Sequence, residues 1–277
     1  MTRLEAGLRI GIWLLGFGLL HLVDTHCHLD FPQFDPDRPA VLERARAAGV
    51  ARIVVPGVDL AACRRAVGLA EHYPEVYAAV GLHPNDAQEL TPAAIAELTF
   101  LAKHPKVVGI GEIGIDLYWR KLSLSEQEAA FRAQLRLADE AGKPVIIHDR
   151  DAHAEVMAVL REVRPAAGVV LHAFSGDAAM ADEALRLGFY LGVDGPLTYK
   201  KNEALRALFA AAPLEQVLVE TDAPYLTPQA RRGQRNEPAH VYYVVEKLAE
   251  IRGISRETAA EATTRNAARF FGWEWRS

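Results

Sequence analysis

The chain has little of what marks a specialised class of protein. Of its 277 residues only Cys27 and Cys63 are cysteines, so a disulfide framework is excluded and a reducing compartment, the cytoplasm, is indicated. Lys and Arg number 31 against 36 Asp and Glu, so the formal charge is −5 and no overall basic field draws the chain to nucleic acid. With 50% hydrophobic and 24% charged residues, the composition is that of a globular protein and not of a disordered or coiled-coil chain.

No apolar run is long enough for a membrane span. The longest, at 10–20 (IGIWLLGFGLL), reaches about 14 residues with its flank included, whereas a spanning helix needs about 20. Arg3 and Arg9 precede it as in a signal peptide, but no small-residue cleavage site follows. We predict that residues 1–20 are an extension from a mis-assigned start, outside a single domain at 21–277 without stable membrane association. A packed extra segment and an anchor or signal are the alternatives.

Apolar runs that alternate with helical patterns predict eight β-α units. The predicted strands are Leu22–Thr25, Ala51–Val55, Val76–Leu82, Val107–Ile113, Pro144–His148, Gly168–Phe174, Phe189–Val193 and Gln216–Thr221. The predicted helices are 38–49, 60–72, 91–103, 124–141, 151–164, 178–187 and 201–211, followed by 237–252 and 255–271. The pattern predicts a (β/α)8 TIM barrel with extra C-terminal helices. A doubly wound open sheet is the alternative, disfavoured because the first strand lacks a G-x-G-x-x-G turn.

The clearest predicted helix is the fourth. Ser125 and Glu128 have the spacing of a capping box, and Gly142 followed by Pro144 ends the helical pattern. We therefore predict a helix over 124–141 that begins with this box.

Polar side chains collect at the strand ends, which meet at one mouth of a barrel. His26 and His28 point to the same side of the first strand, about 7 Å apart, where two imidazoles can bind one divalent ion. Glu112 lies among isoleucines and glycines, where a metal or a salt bridge would offset the cost of burying a carboxylate. Three further strands end in His148, His172 and Asp222. Together these residues predict a metal centre and not isolated core histidines.

Six motifs in this order and spacing resemble the TatD family of metal-dependent deoxyribonucleases, in the amidohydrolase superfamily. They are DTHCHLD at 24–30, GLHP at 81–84, GEIGID at 111–116, PVIIH at 144–148, HAFSG at 172–176 and ETDAPYL at 220–226, and RRGQRNEP follows at 231–238. The resemblance covers about residues 21 to 272. Residues 1–20 have no counterpart in the family, and Asp149 stands where a small polar residue is commoner.

The resemblance implies a centre of two divalent ions. One ion would be held by His26, His28, Glu112 and Asp222, and the other by Glu112, His148 and His172. It also implies that His83, which ends the third predicted strand, contacts the scissile phosphate. The ligand types do not choose between Mg²⁺, Mn²⁺ and Zn²⁺.

We expect a monomeric exonuclease that acts on single strands and hydrolyses phosphodiester bonds in DNA, or in RNA. Metal-bound Asp222 is the expected group that orients the attacking water and takes its proton, and Glu112 the expected bridge between the ions. Flanking phosphates are expected to bind the cationic side chains of Arg150, Arg231, Arg232 and Arg235.

Two alternative functions are compatible with these residues. One is an amide or ester hydrolase of the same superfamily, such as a D-aminoacyl-tRNA deacylase, because the same metal pair can polarise a carbonyl. No lysine ends a predicted strand where a carboxylated bridge would stand, which argues against lactonases and dihydroorotases. The other is a non-enzymatic binding protein, which the intact ligand set disfavours.

Overall fold

The computed structural model describes residues 21–274, so the predicted extension at 1–20 lies outside the described part of the chain. The strands are β1 (Leu22–Asp24), β2 (Val50–Pro56), β3 (Val76–Val80), β4 (Val107–Asp116), β5 (Val145–Arg150), β6 (Val169–Leu171), β7 (Tyr190–Val193) and β8 (Val217–Val219). The helices are α1 (Arg38–Ala47), α2 (Leu60–His72), α3 (Pro92–Leu101), α4 (Leu124–Ala141), α5 (His153–Glu162), α6 (Ala178–Arg186), α7 (Glu203–Ala211), α8 (Val241–Arg252) and α9 (Arg256–Phe271). No helix within 21–274 has the length and apolar character needed to cross a bilayer.

All eight strands run parallel in one sheet, in chain order from β1 to β8. The segments at the ends of β1 and β8 close this sheet on itself. Thr25 N donates to Val219 O at 3.1 Å, and Asp222 N donates to His26 O at 2.9 Å. The predicted TIM barrel is therefore confirmed. The doubly wound alternative is wrong, because such a sheet stays open and its strand order reverses.

The barrel interior is apolar at its N-terminal end. Its cluster contains Val23, Val54, Ala79, Val108, Ile146, Val170 and Leu218. Phe270 and Phe271 of α9 pack against this cluster, and Thr264 Oγ1 of the same helix donates to His21 O, just before β1, at 2.6 Å. Helix α9 thus closes the N-terminal end of the barrel, and the polar side chains lie at the opposite, C-terminal mouth.

The capping box of α4 is two residues earlier than predicted. Ser123 Oγ accepts from Glu126 N at 3.4 Å, and Glu126 Oε2 accepts from Ser123 N at 2.9 Å. The sequence SLSEQE contains Ser-x-x-Glu in two registers, and the backbone enters the helix at the first, so Ser125 and Glu128 do not form the box. The predicted bounds of the helix, 124–141, are confirmed, and Gly142 ends it at a φ of 60°, in the left-handed region.

Strand ends differ from the prediction where apolar runs continue into the mouth. Strands β6 and β8 end at Leu171 and Val219, before His172 and before Glu220. Strands β4 and β5 instead extend past their predicted ends, because their residues keep pairing as far as Asp116 with Arg150. Apolar runs alone do not distinguish a paired strand from the extended segment that follows it.

Candidate metal centre

The six predicted metal ligands meet at the C-terminal mouth of the barrel. His26 and His28 follow β1, Glu112 lies in β4, His148 lies in β5, and His172 and Asp222 follow β6 and β8. His148 and Asp222 are partly buried, and the other four are buried. Residues in or just after five strands, separated by more than two thirds of the chain, are thus brought to one place.

The first cluster of donor atoms has the spacing of a metal site. His26 Nε2 lies 3.3 Å from His28 Nε2. Glu112 Oε2 lies 3.5 Å from His26 Nε2 and 3.6 Å from His28 Nε2. Asp222 Oδ1 lies 3.7 and 3.4 Å from the same two nitrogens. Four ligands arranged tetrahedrally at about 2.1 Å from an ion would be roughly 3.4 Å apart. His26, His28 and Glu112 form one group whose donor atoms all lie within 4.8 Å of one another, whereas Asp222 forms such a group with His26 and His172. The first three side chains therefore fit one divalent cation, and Asp222 lies beside them, within 3.7 Å of both histidine nitrogens.

The local backbone directs these side chains to the cluster. Successive side chains of an extended segment alternate sides, so Cys27 points away from the two histidines, is buried, and pairs with Ala223 through its backbone. Asp222 has a φ of 53°, a conformation that strains residues other than glycine. Its hydrogen bond to His26 O helps to hold it there, so the seam of the barrel fixes the carboxylate beside the histidine pair.

Glu112 lies between this first cluster and a second one. Its Oε2 faces His26 and His28. Its Oε1 lies 2.6 Å from His148 Nδ1 and 3.6 Å from His172 Nε2. Donor atoms of Glu112, His148 and His172 all lie within 4.8 Å of one another. The two oxygens of one carboxylate therefore face two neighbouring clusters of donor atoms.

Two carboxylates that the sequence analysis did not assign to the site hold the remaining ring nitrogens. Asp116 Oδ2 lies 3.1 Å from His148 Nε2, and Glu220 Oε1 lies 3.0 Å from His172 Nδ1. This leaves His148 Nδ1 and His172 Nε2 directed at Glu112. Metal-binding histidines generally donate their other N–H to such a carboxylate, which fixes the tautomer and the ring orientation. The available sequence signal was a second carboxylate within four residues of a ligand in GEIGID and ETDAPYL.

Glu220 is itself held by its surroundings. Its Oε1 accepts from Ala173 N at 2.6 Å, and its Oε2 accepts from Thr25 Oγ1 at 3.3 Å. A Cβ atom at Gly192 of β7 would lie 2.6 Å from Glu220 Oε1, too close for any side chain to be accommodated without a shift. The glycine therefore leaves the space that this carboxylate occupies beside His172.

We expect Glu220→Gln to weaken the binding of Mn²⁺ or Zn²⁺ by about 10- to 100-fold, because the neutral amide holds the His172 N–H less strongly than a carboxylate does. Calorimetric titration of metal-stripped protein measures this change. Glu140→Gln, an exposed position on α4, is the matched control. Equal dissociation constants for the two variants would contradict the expected role of Glu220.

Without an ion, the imidazoles and carboxylates of the mouth compensate one another. Burial alone would lower the pKa of His148 and of His172, but the carboxylates beside them raise these pKa values to about 9 and about 10. Burial alone would raise the pKa of Glu112, but the charges and hydrogen bonds of the surrounding histidines hold it well below its usual range. Because ligands must be deprotonated, cation binding here releases protons and weakens as the pH falls.

His83 lies at the edge of the second cluster. Its Nδ1 accepts from Asn85 N at 3.1 Å, and its Nε2 lies 3.8 Å from Glu112 Oε1. Burial and the neighbouring His148 lower the pKa of His83 to about 3, so the ring is neutral and carries its hydrogen on Nε2. Donor atoms of His83, Asp116 and His148 also lie close together, but His148 Nε2 is already bonded to Asp116. His83 is thus placed as a hydrogen-bond donor at the mouth.

A groove of about 940 Å³ opens beside the second cluster. Its lining includes His148, His172 and Asp222. Arg150, the last residue of β5, lines it too, and the Arg150 guanidinium lies 4.5 Å from the centre of the Tyr118 ring. An apolar part of the wall is formed by Phe174, Leu205 and Leu208. The groove is therefore lined by candidate metal ligands, by the positively charged side chain of Arg150 and by apolar side chains.

The other three arginines predicted to bind phosphates are not among the residues that line this groove. Arg231 Nε donates to a tyrosine hydroxyl at 2.9 Å, and the Arg232 guanidinium lies 4.6 Å from the centre of the Tyr199 ring. Arg235 Nη2 forms an ion pair with Asp37 Oδ2 at 2.9 Å. Arg231 and Arg232 remain exposed, whereas Arg235 is partly buried in its ion pair.

Known proteins share this sequence and this fold. Residues 23–272 match the family described as TatD related DNase. YabD, a metal-dependent hydrolase of Bacillus subtilis strain 168, is 43% identical over 251 residues, which cover 90% of this chain and 98% of YabD. The 3'-5' ssDNA/RNA exonuclease TatD of Klebsiella pneumoniae strain 342 is 37% identical over 257 residues, which cover 91% of this chain and 98% of that protein. The crystal structure of YjjV, a TatD homologue of Escherichia coli K12, matches with a TM-score of 0.88 and 34% identity over 93% of this chain and 100% of YjjV.

Proposed function

This chain belongs to the TatD related DNase family and is a metal-dependent hydrolase, and from that premise we propose that it removes nucleotides from the 3′ end of single-stranded DNA or RNA. The observation that carries the proposal is the position of Glu112, with one oxygen toward each of two histidine pairs at the wall of a groove. The 3'-5' ssDNA/RNA exonuclease TatD, similar over nearly its whole length, supports the polarity and the substrate.

We propose that the mouth holds two divalent cations, Mg²⁺, Mn²⁺ or Zn²⁺. The proposed ligands of one are His26, His28, Glu112 and Asp222, and those of the other are Glu112, His148 and His172. Bound there, the pair would lower the pKa of a water and neutralise charge on the phosphoryl oxygens. The donor spacings near 3.4 Å and the carboxylate-bound outer nitrogens of His148 and His172 support this assignment.

Asp222 is the proposed group that orients the attacking water and accepts its proton. Burial alone would raise the pKa of Asp222, but the hydrogen bond and charge of His28, with the charges of His26 and His172, lower it. The carboxylate is therefore ionised at neutral pH and able to accept a proton. Its partial exposure at the groove wall leaves it accessible to water and substrate.

Substrate phosphates are positioned by donors around the mouth. His83, neutral and with its hydrogen on Nε2, is placed to donate to an oxygen of the scissile phosphate. Arg150, exposed in the groove, is placed to bind a neighbouring phosphate. Arg231 and Arg232 offer further exposed positive charge, and Arg235 contributes less because Asp37 already neutralises it. These local cations compensate for the net charge of −5 of the whole chain.

We propose a monomeric enzyme of a reducing compartment, the cytoplasm. Cys27 and Cys63 are both buried and unpaired, and burial raises the pKa of each thiol, so both lack the thiolate character that disulfide exchange needs.

The proposal is tested with single-stranded DNA and RNA labelled at the 5′ end. Metal-stripped protein receives Mg²⁺, Mn²⁺ or Zn²⁺, and the His26→Ala plus His28→Ala variant is assayed in parallel. We expect metal-dependent shortening from the 3′ end, lost in the double variant. Protein that binds two ions and cleaves neither nucleic acid with any metal would contradict the proposal, and an aminoacyl ester would then be the substrate to assay.

A further inference from the structure

Exposed aromatic side chains are concentrated at the C-terminal mouth. In the described part of the chain four large hydrophobic side chains are at least half exposed, and three of them, Tyr118, Trp119 and Tyr225, follow β4 or β8. The fourth, Phe100, lies near the end of α3, which leads back to the start of β4. Tyr118 and Trp119 are 52% and 63% exposed, with ring centres 5.0 Å apart. A single exposed ring needs no explanation, but an adjacent pair beside a functional site indicates a binding surface.

The loop that carries this pair of rings is held by hydrogen bonds. Asp116 Oδ1 accepts from Tyr118 N at 3.0 Å and from Trp119 N at 2.9 Å. Farther along the loop, Leu122 O accepts from Gln127 Nε2 at 3.1 Å, and the same fully buried amide donates to Asp116 O at 3.1 Å. The backbone of the loop is therefore fixed while its two rings stay exposed.

The carboxylate that holds the loop also contacts the metal centre. Asp116 Oδ2 lies 3.1 Å from His148 Nε2, while Oδ1 accepts from the loop. Arg150 lies two residues after His148 in β5, about 7 Å farther along the strand, and lines the groove with it. The Arg150 guanidinium lies 4.5 Å from the centre of the Tyr118 ring, whose other neighbour is Trp119. A proposed metal ligand, a cation and the aromatic pair are thus contiguous along one side of the mouth.

Positive charge surrounds the two rings. Arg120 and Lys121 follow Trp119 directly, and both are exposed, as is Arg150. Among residues 21–274 no carboxylate forms an ion pair with any of these three cations. Exposed cations beside exposed aromatic rings are the combination that binds single-stranded nucleic acid, because the cations bind phosphates and the unpaired bases stack on the rings.

The chemistry of the strand end decides which base can reach the rings. A 3′-terminal nucleotide with a free hydroxyl carries only the scissile phosphate, which the proposed metal centre binds. The neighbouring phosphate proposed to bind Arg150 therefore lies on the 5′ side of the scissile bond. A base that stacks beside Arg150 then belongs to the part of the strand that remains after cleavage.

We infer that Trp119, with Tyr118 beside it, stacks on an unpaired base on the 5′ side of the scissile phosphate. The inference rests on the proposed exonuclease function and deepens it. The bases of a duplex are already stacked on one another and paired, so these rings select single strands. Trp119 is thereby a substrate-binding residue that does not belong to the metal centre.

Two 5′-labelled DNA strands of equal length test the inference, one complete and the other lacking every base except that of the 3′-terminal nucleotide. Wild-type protein is expected to remove the terminal nucleotide of the complete strand about 5- to 100-fold faster, as measured by kcat/KM, since this is the usual effect of one base stacked on an aromatic ring. The Tyr118→Ala plus Trp119→Ala variant is expected to bring the ratio of the two kcat/KM values close to one. Trp119→Phe, which keeps an aromatic ring, is expected to retain part of the ratio.

The matched control is Phe100→Ala, which removes an exposed ring from α3 and is expected to keep the wild-type ratio. Because the two strands carry the same phosphates, a loss of charge contacts would slow both alike and leave the ratio unchanged. Melting temperatures close to that of the wild type are expected for all variants, since the rings removed are exposed.

The outcomes separate this inference from the function on which it rests. Absence of cleavage of both strands by wild-type protein would overturn the exonuclease proposal, and the inference with it. Equal rates on the two strands with wild-type protein would overturn only the inference. So would a double variant that keeps the wild-type ratio, and contact with another protein would then be the role left for the exposed rings.

Discussion

Asp222→Asn is expected to reduce the rate of phosphodiester hydrolysis about 1,000-fold while the protein stays folded and retains most of its metal. The amide keeps an oxygen beside His26 and His28, to which Asp222 Oδ1 lies at 3.7 and 3.4 Å, but it cannot accept a proton from water. Single-turnover rates with end-labelled DNA measure the first effect. Elemental analysis of the dialysed protein measures metal content.

The control for this variant is Asp182→Asn, which changes the same functional group on the exposed face of α6. Near wild-type turnover by the Asp222 variant would remove Asp222 from the mechanism. A large loss of bound metal would show instead that its main role is that of a ligand.

Glu112→Gln, unlike Asp222→Asn, is expected to lose both metal ions, and its activity is expected to fall below detection. A carboxylate whose Oε2 lies 3.5 Å from His26 Nε2 and whose Oε1 lies 2.6 Å from His148 Nδ1 contributes charge to both clusters. A neutral amide cannot supply an anionic oxygen to each. Metal content is expected to fall from about two ions per chain to below one, since such sites depend on ligand charge.

The comparison with Glu140→Gln, an exposed residue of α4, separates this effect from a general loss of charge. Retention of two ions by the Glu112 variant would exclude a bridging role. Retention of one ion would assign Glu112 to a single cluster. A comparison of the Mn²⁺ affinities of this variant and of His148→Ala would then identify which cluster the carboxylate serves.

The barrel and its proposed ligands were accessible from the sequence because their signals are local. Apolar runs covered on both faces mark parallel strands, and each ligand is adjacent to such a run. The same signals fail at strand ends, where His172 follows β6 and does not lie in it, and where Arg150 still pairs with Asp116. The sequence SLSEQE likewise offers two capping registers that only the path of the backbone resolves.

The remaining features depend on neighbours that are distant in the chain. Asp116 and Glu220 are the same residue types as the carboxylate ligands, so the sequence does not distinguish a carboxylate that binds metal from one that holds a histidine. The arginine run after β8 predicts positive charge, but the ion pair between Arg235 and Asp37 joins residues that are 198 positions apart in the chain. Pairings of this kind are set by tertiary structure and leave no periodic pattern.

The first cluster joins the segments that follow β1 and β8, and this position links metal binding to the stability of the barrel. Thr221 donates to Asp24 across a separation of 197 residues, and closing a loop of about that length by a cross-link is worth roughly 5 kcal/mol. A cation shared by His26, His28 and Asp222 would act as such a cross-link, but a reversible one. The stability of the closed barrel would then vary with the concentration of free metal in its surroundings. Removal of such an ion by a chelator would cost the domain this added stabilisation, while the hydrogen bonds from Thr25 N to Val219 O and from Asp222 N to His26 O still join the two ends of the sheet.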